Sequence, residues 1–206
     1  MASGGSSSPE PDVPASRTLP KPVREDVIVL AHRWFLEGRR IDMQQLARAS
    51  GIGRATLYRW WGSREVVIGE VVWRIIAEAI GRVEARGAGV SDDPAGRFVR
   101  NFGTLADTVR TFEPLTRFVA DDPEYGLRVL TSGYSVVQGR MIDWAAARLT
   151  DLPDLDPRIE VRDLAYAIVR VGEAFVWSDI ITGDPPQSGK ATAMVELLVR
   201  AASGKR

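Results

Sequence analysis

Apolar residues recur three and four positions apart in almost every segment of this 206-residue chain, and this spacing constrains the fold more than any other feature. Val27, Leu30, Ala31, Trp34 and Phe35 are the first example. Such spacing places side chains on one stripe of a helix, whereas a half-buried strand needs strict alternation. We find no alternating pattern and no internal repeat of about 20 to 50 residues. The sequence therefore predicts an all-α protein.

Proline, glycine and aspartate residues divide this pattern into about nine helices. Gly38, Gly51 and Gly62 provide stop signals, and aspartates that precede helical segments are expected N-caps. The expected caps are Asp42, Asp92 or Asp93, Asp122 and Asp156. The predicted helices cover about residues 23–37, 43–50, 53–61, 64–86, 94–112, 123–130, 134–149, 157–181 and 191–202.

The chain divides into three parts by composition and helix length. Residues 1–22 are rich in Ser, Gly and Pro and offer almost nothing to bury, so they predict a disordered tail. Residues 23–68 contain three short helices and are predicted to form one small domain. Residues 69–206 contain longer helices and are predicted to form a helical bundle.

Composition argues against most enzyme chemistry. The chain has no cysteine, and His32 is its one histidine, so neither a thiolate nor a histidine cluster can bind a metal. The carboxylates at Asp121–Asp122 and Asp154–Asp156 lie beside prolines, where aspartate is expected as a helix cap. We therefore expect no catalysis, no metal and no cofactor. We also see no signal peptide and no membrane-spanning stretch, which predicts a cytoplasmic protein.

Charge is uneven along this formally neutral chain. Residues 20–65 contain nine basic and five acidic residues, so they carry +4 and the remainder carries −4. A basic segment on an acidic body is typical of a polyanion-binding module, although chance asymmetry would also produce it. An alternative is a helical interaction protein whose basic segment binds an acidic partner.

The second and third predicted helices, joined at Gly51, form a helix-turn-helix pattern. In such a motif the second helix lies in the major groove of DNA. Leu57 and Trp61 are four apart and should face inward, which turns the other side of the third helix outward. That outer side offers arginine for guanine, alanine for the thymine methyl group and a tyrosine hydroxyl for phosphate. The outward residues are Arg54, Ala55, Tyr58 and Arg59.

The pattern from Val23 to about Val72 resembles the DNA-binding domain of the TetR family of bacterial regulators. The resemblance is carried by an Asp-capped LARASGI, then TLYRWW, then Ser-Arg-Glu at the start of a long helix. Two departures are Gly53, where the family often has serine, and the pair Trp60–Trp61. The resemblance implies a double-stranded DNA operator, base contacts from Gln44, Arg54, Ala55, Thr56 and Arg59, and phosphate contacts from Tyr58 and Arg64. Thr56 can equally bond its own helix backbone.

The resemblance also implies a homodimer formed by the last two long helices of each subunit. These helices offer more apolar surface than one face of a domain requires. The residues predicted for the interface are Leu164, Ile168, Gly172, Val176, Met194, Leu197 and Leu198. The alternative is that they are core residues of a monomer.

The remaining body, in this resemblance, is a ligand-responsive switch. The candidate ligand-binding residues are Phe102, Phe118, Arg140, Trp144, Arg170, Glu173 and Trp177. Ordinary core packing and surface ion pairs would explain the same residues. The stretches EPLTRFVADDPEYGLRVLTS and EAFVWSDIITG resemble the QsdR-like subgroup, which suggests a lactone-like or acyl effector. The resemblance thus implies a repressor released from its operator by a small apolar molecule.

Overall fold

The structure is a computed structural model that describes residues 23–87 and 93–204. Every regular element in these ranges is helical, which confirms the predicted fold class. The predicted tail at residues 1–22 lies outside the described residues. The helices are α1 (Arg24–Leu36), α2 (Met43–Ala49), α3 (Arg54–Trp61), α4 (Arg64–Gly87), α5 (Pro94–Thr111), α6 (Glu113–Asp121), α7 (Pro123–Thr131), α8 (Val136–Thr150), α9 (Val161–Val176), α10 (Ser178–Ile181) and α11 (Ser188–Ala202).

The described part therefore has eleven helices, and the predicted number of nine was too low. The helix α6 was missed because Phe112 adopts an extended conformation and separates it from α5. Pro114 in the first turn of α6 fits this break, since proline is tolerated only where its missing N–H is not needed. The predicted helix ending at Ile181 is divided at Trp177, which leaves α10 as a separate short turn.

Local capping was predicted correctly at three aspartates. Asp42, Asp93 and Asp122 each accept hydrogen bonds from backbone N–H groups in the first turn of the following helix. The prediction for Asp156 was wrong, because α9 begins five residues later at Val161. The Asp156 carboxylate accepts from the backbone N–H and the guanidinium of the residue two positions on, so it closes a turn instead.

Two apolar clusters hold the helices together. The first contains residues of α1 to α4, such as the fully buried Leu46 and Leu57, and extends into α5 to α8 and the end of α9. The second lies between α5, α8, α9 and α11. The long helix α4 packs against both α1 and the body, so the first cluster is continuous from one part to the other. The boundary predicted at residues 68 and 69 thus falls inside α4, and it stays a prediction.

Two kinds of feature are absent from the part of the chain that the structure describes. None of the described helices is long and apolar enough to cross a bilayer. Likewise, nowhere in residues 23–87 and 93–204 do three or more His, Asp or Glu side chains come close enough to hold a metal ion.

Candidate functional site

The turn between α2 and α3 is made by local backbone bonds. Gly51 has φ of 66°, in the left-handed region that favours glycine, and its N–H donates to the Arg48 carbonyl at 3.2 Å. The next N–H, of Ile52, donates to the Ala47 carbonyl at 3.0 Å. Gly53 then begins α3 as an N-cap without a capping side chain, as its substitution for serine implies. These bonds set the direction in which α3 leaves α2.

The helix α3 has one buried side and one exposed side. Leu57 is fully buried, and Trp61 is half-buried and packs against the same cluster. The predicted inward orientation of both residues is therefore confirmed. The exposed side carries all four residues predicted to face outward, and Thr56 lies at its half-buried edge. The exposed four are Arg54, Ala55, Tyr58 and Arg59.

The two exposed guanidinium groups of α3 make only weak contacts. The Arg54 group lies 5.3 Å from the centre of the Tyr58 ring. The Arg59 Nη2 donates to the Thr56 hydroxyl at 3.5 Å, which is a long hydrogen bond. Neither group forms an ion pair with a described residue. Both side chains are thus available to an external acceptor.

Further basic and polar residues surround α2. Gln44 is exposed on α2, as a base-contacting role requires. Arg48 is exposed near the end of α2, and Arg39 and Arg40 are exposed directly before it. The Arg39 guanidinium stacks 3.7 Å from the centre of the Trp34 ring. Sequence reasoning counted these three arginines as charge but did not select them, although they enlarge the basic surface.

Arg64 is placed differently from what the resemblance implied. Its Nε donates to the Ile41 carbonyl at 2.7 Å, and its guanidinium lies 4.7 Å from the centre of the Tyr125 ring in α7. The side chain thus joins the segment before α2 to the body. This position supports a structural role more directly than a phosphate contact.

The body contains an apolar cavity of about 80 Å³ between α4 and α9. Three of the seven candidate ligand residues line it: Phe102, Glu173 and Trp177. Arg170 is exposed, and its Nη1 donates to both the Glu173 carboxylate and the Thr131 carbonyl, each at 2.8 Å. Sequence reasoning missed most of the lining, because apolar residues on five other helices carry no signal that distinguishes a cavity wall from a filled core.

The other three candidate ligand residues lie away from this cavity. The centre of the Phe118 ring lies 5.4 Å from that of Phe35 in α1, and Phe118 does not line the cavity. Arg140 forms two hydrogen bonds with Glu70, at 2.8 and 2.9 Å. The Trp144 indole donates to Glu84 at 3.0 Å. Each side chain already has a partner on a distant segment of the chain, and a role of these three residues in ligand binding stays a prediction.

The predicted interface residues also separate into two groups. Leu164, Ile168, Gly172 and Val176 are buried inside the chain itself, which corrects their choice as interface residues. Leu198 is half-buried, whereas Met194 and Leu197 on α11 are exposed. Exposed residues on α11 recur three and four apart, and the adjacent α9 exposes Tyr166. We call the exposed side chains Tyr166, Ala193, Met194, Leu197 and Ala201 the α9–α11 face.

Glu173 is the titratable group that burial affects most in the cavity. Burial raises the pKa of its carboxyl to about 7, against the opposing charge and hydrogen bond of Arg170. By contrast, the hydrogen bond from Arg148 is the main reason why the pKa of Glu84 lies below its usual range. Among the described residues, Glu173 alone combines a position in this cavity with a carboxyl whose charge is disfavoured.

Comparison with solved structures shows a related fold. The chain is similar to the transcriptional repressor QsdR from R. erythropolis, of the TetR family, with a TM-score of 0.77 and 22% identity over 85% of this chain and 93% of that chain. It also overlaps the TetR-family regulator PfmR from Thermus thermophilus, at 20% identity over 84% of this chain and 97% of that chain. The TM-score of that overlap is 0.37, so we draw nothing from it.

Comparison with sequence families gives the more decisive result. No curated protein matches the chain by sequence. A family model described as the tetracyclin repressor-like C-terminal domain matches residues 95–200, which is just over half of the chain. This match covers the part of the helical body that follows α4. The chain belongs to the TetR family of transcriptional regulators.

Proposed function

We propose that this protein is a DNA-binding transcriptional repressor that leaves its operator when a small molecule binds the body. One observation carries the proposal: α3 buries Leu57 and exposes Arg54, Ala55, Tyr58 and Arg59, and it lies within residues 20–65, which carry +4. In a helix-turn-helix, this is the side of the second helix that reads DNA. The similarity to a described transcriptional repressor supports repression rather than activation.

Each exposed residue has a role that fits its chemistry. Arg54 and Arg59 would contact base edges, where a guanidinium can bond guanine at two atoms, and Ala55 would accept a thymine methyl group. Tyr58 would hold a phosphate oxygen, which positions the helix without reading sequence. Gln44 on α2 and Thr56 at the edge of α3 would complete the base-contacting set.

Two copies of α3 are needed to select one site among many. Helix-turn-helix proteins meet this need as dimers, which read half-sites about 34 Å apart. The α9–α11 face is the surface that we propose for the homodimer, because it is apolar, exposed and adjacent to the core helices of the body. Residues 69–206 would thus provide both dimerisation and ligand binding, and residues 23–68 would bind the operator in the cytoplasm.

Release from DNA would depend on α4. This helix belongs to the cluster that holds α1 to α3, and Ile76 in its middle lines the body cavity. A ligand can shift the protein only by binding one arrangement of α4 more tightly than the other, and a shift from 1:99 to 99:1 needs about 5.5 kcal/mol. A lactone-like or acyl molecule is the effector that the subgroup resemblance suggests.

Binding to DNA that flanks the protein's own gene tests the proposal. In a gel-shift titration at about 0.15 M salt, the protein should bind one fragment much more tightly than a shuffled duplex, because specific sites exceed non-specific ones by roughly 10³-fold or more. Arg54→Ala and Arg59→Ala should each weaken specific binding by about 1–3 kcal/mol and affect shuffled DNA far less.

The matched control is Arg82→Ala, which removes an exposed arginine on the far half of α4. It should leave both affinities unchanged. Equal affinity of the wild-type protein for all duplexes would contradict the proposal and would favour the alternative of an acidic protein partner.

A further inference from the structure

The body cavity has a single acidic group in its wall. Of the described residues that line it, only Thr131 and Glu173 carry side-chain oxygen atoms. The Thr131 hydroxyl already donates to the Leu127 carbonyl at 2.9 Å. Glu173 is therefore the side chain that decides which polar group a bound molecule can present.

One oxygen of Glu173 is occupied and the other is not. The Oε2 atom accepts from Arg170 Nη1 at 2.8 Å, and the same nitrogen is also bonded to the Thr131 carbonyl. The Arg170 side chain is 43% exposed, whereas that of Glu173 is 17% exposed, so the arginine lies at the rim. The Oε1 atom accepts no hydrogen bond from any described residue, and it is not fully buried, so it remains open to a hydrogen-bond donor from outside the chain.

The cavity limits the ligand to a compact molecule. Its volume of about 80 Å³ is roughly half that of an engineered apolar cavity of about 150 Å³ that binds benzene. One wall is closely packed, because a Cβ atom at Gly172 would lie 2.5 Å from the ring of Phe102. The helix α9 and this ring are thus already at the closest approach that glycine allows.

We propose that the cavity selects compact, uncharged molecules with one hydroxyl group, which bonds Glu173 Oε1, and that Glu173 excludes carboxylates. The inference rests on the ligand-responsive function proposed above, and it names a hydroxyl-bearing ligand in place of the lactone-like or acyl effector that the subgroup resemblance suggests. A hydroxyl group both donates and accepts, so it satisfies the glutamate whether that carboxyl is ionised or protonated. The rest of the ligand meets mostly apolar side chains, with the Thr131 hydroxyl and the Trp177 indole as the other polar groups in the wall.

Charged ligands of the same size are excluded by the same geometry. A carboxylate would add a second negative charge beside Glu173 in apolar surroundings, where unpaired charges are costly. Burial has already raised the pKa of Glu173 to about 7, so the site disfavours even one negative charge. An ammonium group would lose its water in the same apolar surroundings, and the carboxylate that could pair with it already forms an ion pair with Arg170.

Three probes of equal chain length test this selectivity with the full-length protein: 1-butanol, butanoate and butylamine. Binding is measured at pH 7.5 by calorimetric titration and by the intrinsic fluorescence of the six tryptophans, of which Trp177 lines the cavity. We expect 1-butanol to bind at least about tenfold more tightly than either charged probe. In Glu173→Gln, the amide keeps hydrogen-bonding capacity but not the charge, so the preference over butanoate should fall to within about threefold.

A second variant locates the site. Ala106→Leu fills part of the cavity from α5, and it should abolish 1-butanol binding while the circular dichroism of the protein is unchanged. Equal binding of butanoate and 1-butanol, an unchanged preference in Glu173→Gln, retained binding in Ala106→Leu, or no binding of any probe would each overturn the inference. DNA is absent from these titrations, so a failed gel shift would contradict the proposed function separately.

Discussion

At the residue scale, burial raises the pKa of Glu173, a residue type that ordinarily lies at the surface. Its charged form loses water when α9 packs on the body, and the ion pair with Arg170 offsets only part of that loss. A carboxyl in this position is tolerated only where it has a use or where its cost is small relative to total stability. The cost should therefore be measurable as a function of pH.

The pKa of Glu173 is about 7 in the folded protein and near 4.5 in the unfolded chain. The folded state holds the proton more tightly, so this group's contribution to stability is complete below pH 4.5 and is lost as pH rises through 7. Between pH 5 and 8.5 we expect the wild-type protein to lose about 2–3 kcal/mol more unfolding free energy than Glu173→Gln. Urea unfolding of both proteins at the two pH values measures the difference, and parallel pH profiles would refute it.

At the element scale, the direction of α3 depends on two glycines that have different backbone conformations. Gly51 has φ of 66° and ends α2, whereas Gly53 has φ of −70° and begins α3. Neither position is crowded, because no atom lies within 4 Å of a Cβ placed there. A side chain at either position therefore meets no steric clash with neighbouring atoms.

The same substitution at these glycines should have opposite effects. Gly51→Ser should destabilise the protein by about 1–2 kcal/mol, because the left-handed conformation is unfavourable for a residue with a Cβ atom. Gly53→Ser should instead stabilise it by a few tenths of a kcal/mol, since serine can cap α3. Thermal unfolding of the two variants gives the comparison, and equal midpoints would mean that the turn does not depend on Gly51.

Arg64 connects helices that lie far apart in the sequence. Its bond to the Ile41 carbonyl and its position on the Tyr125 ring connect α4, the segment before α2 and α7. Loss of this side chain would affect both the packing of the body and the position of α2. A change in DNA affinity in an Arg64 variant would thus not by itself identify a phosphate contact.

At the scale of the whole molecule, the α9–α11 face is the surface whose exposure most needs a partner. Leu197 is 58% exposed and Tyr166 is 52% exposed, and two alanines on the same side of α11 would allow close approach of another helix. Large apolar side chains that are exposed on two neighbouring helices are candidates for a protein interface. A dimer formed there would hold two copies of α3 at a constant separation.

Leu197→Glu should convert the proposed dimer into monomers, because each copy would bring an unpaired charge into the apolar face. Light scattering during size-exclusion chromatography measures the mass, which should fall to that of one 22.6 kDa chain. Thr104→Glu, on the exposed side of α5, is the control and should leave the mass unchanged. A dimeric Leu197→Glu protein would place the interface elsewhere.

Local patterns were sufficient for the features that depend on neighbouring residues in the chain. The spacing of Leu57 and Trp61 correctly predicted which side of α3 is inward, because both positions follow from the helical period. Asp42, Asp93 and Asp122 were recognised as caps for the same reason, since a capping bond spans only two or three residues. The class of fold and the helix-turn-helix could thus be predicted from the sequence alone.

Features that depend on residues far apart in the sequence could not be predicted from local patterns. The sequence does not show that Arg140 and Trp144 form hydrogen bonds with Glu70 and Glu84. These partners lie 70 and 60 positions away in the chain. Likewise, periodicity shows that Ile168 lies on an apolar stripe, but not whether the same chain or a second chain covers it. The spacing of apolar residues along the chain indicates which side chains must be buried. The tertiary structure alone determines which residues cover them, because those residues come from distant parts of the chain.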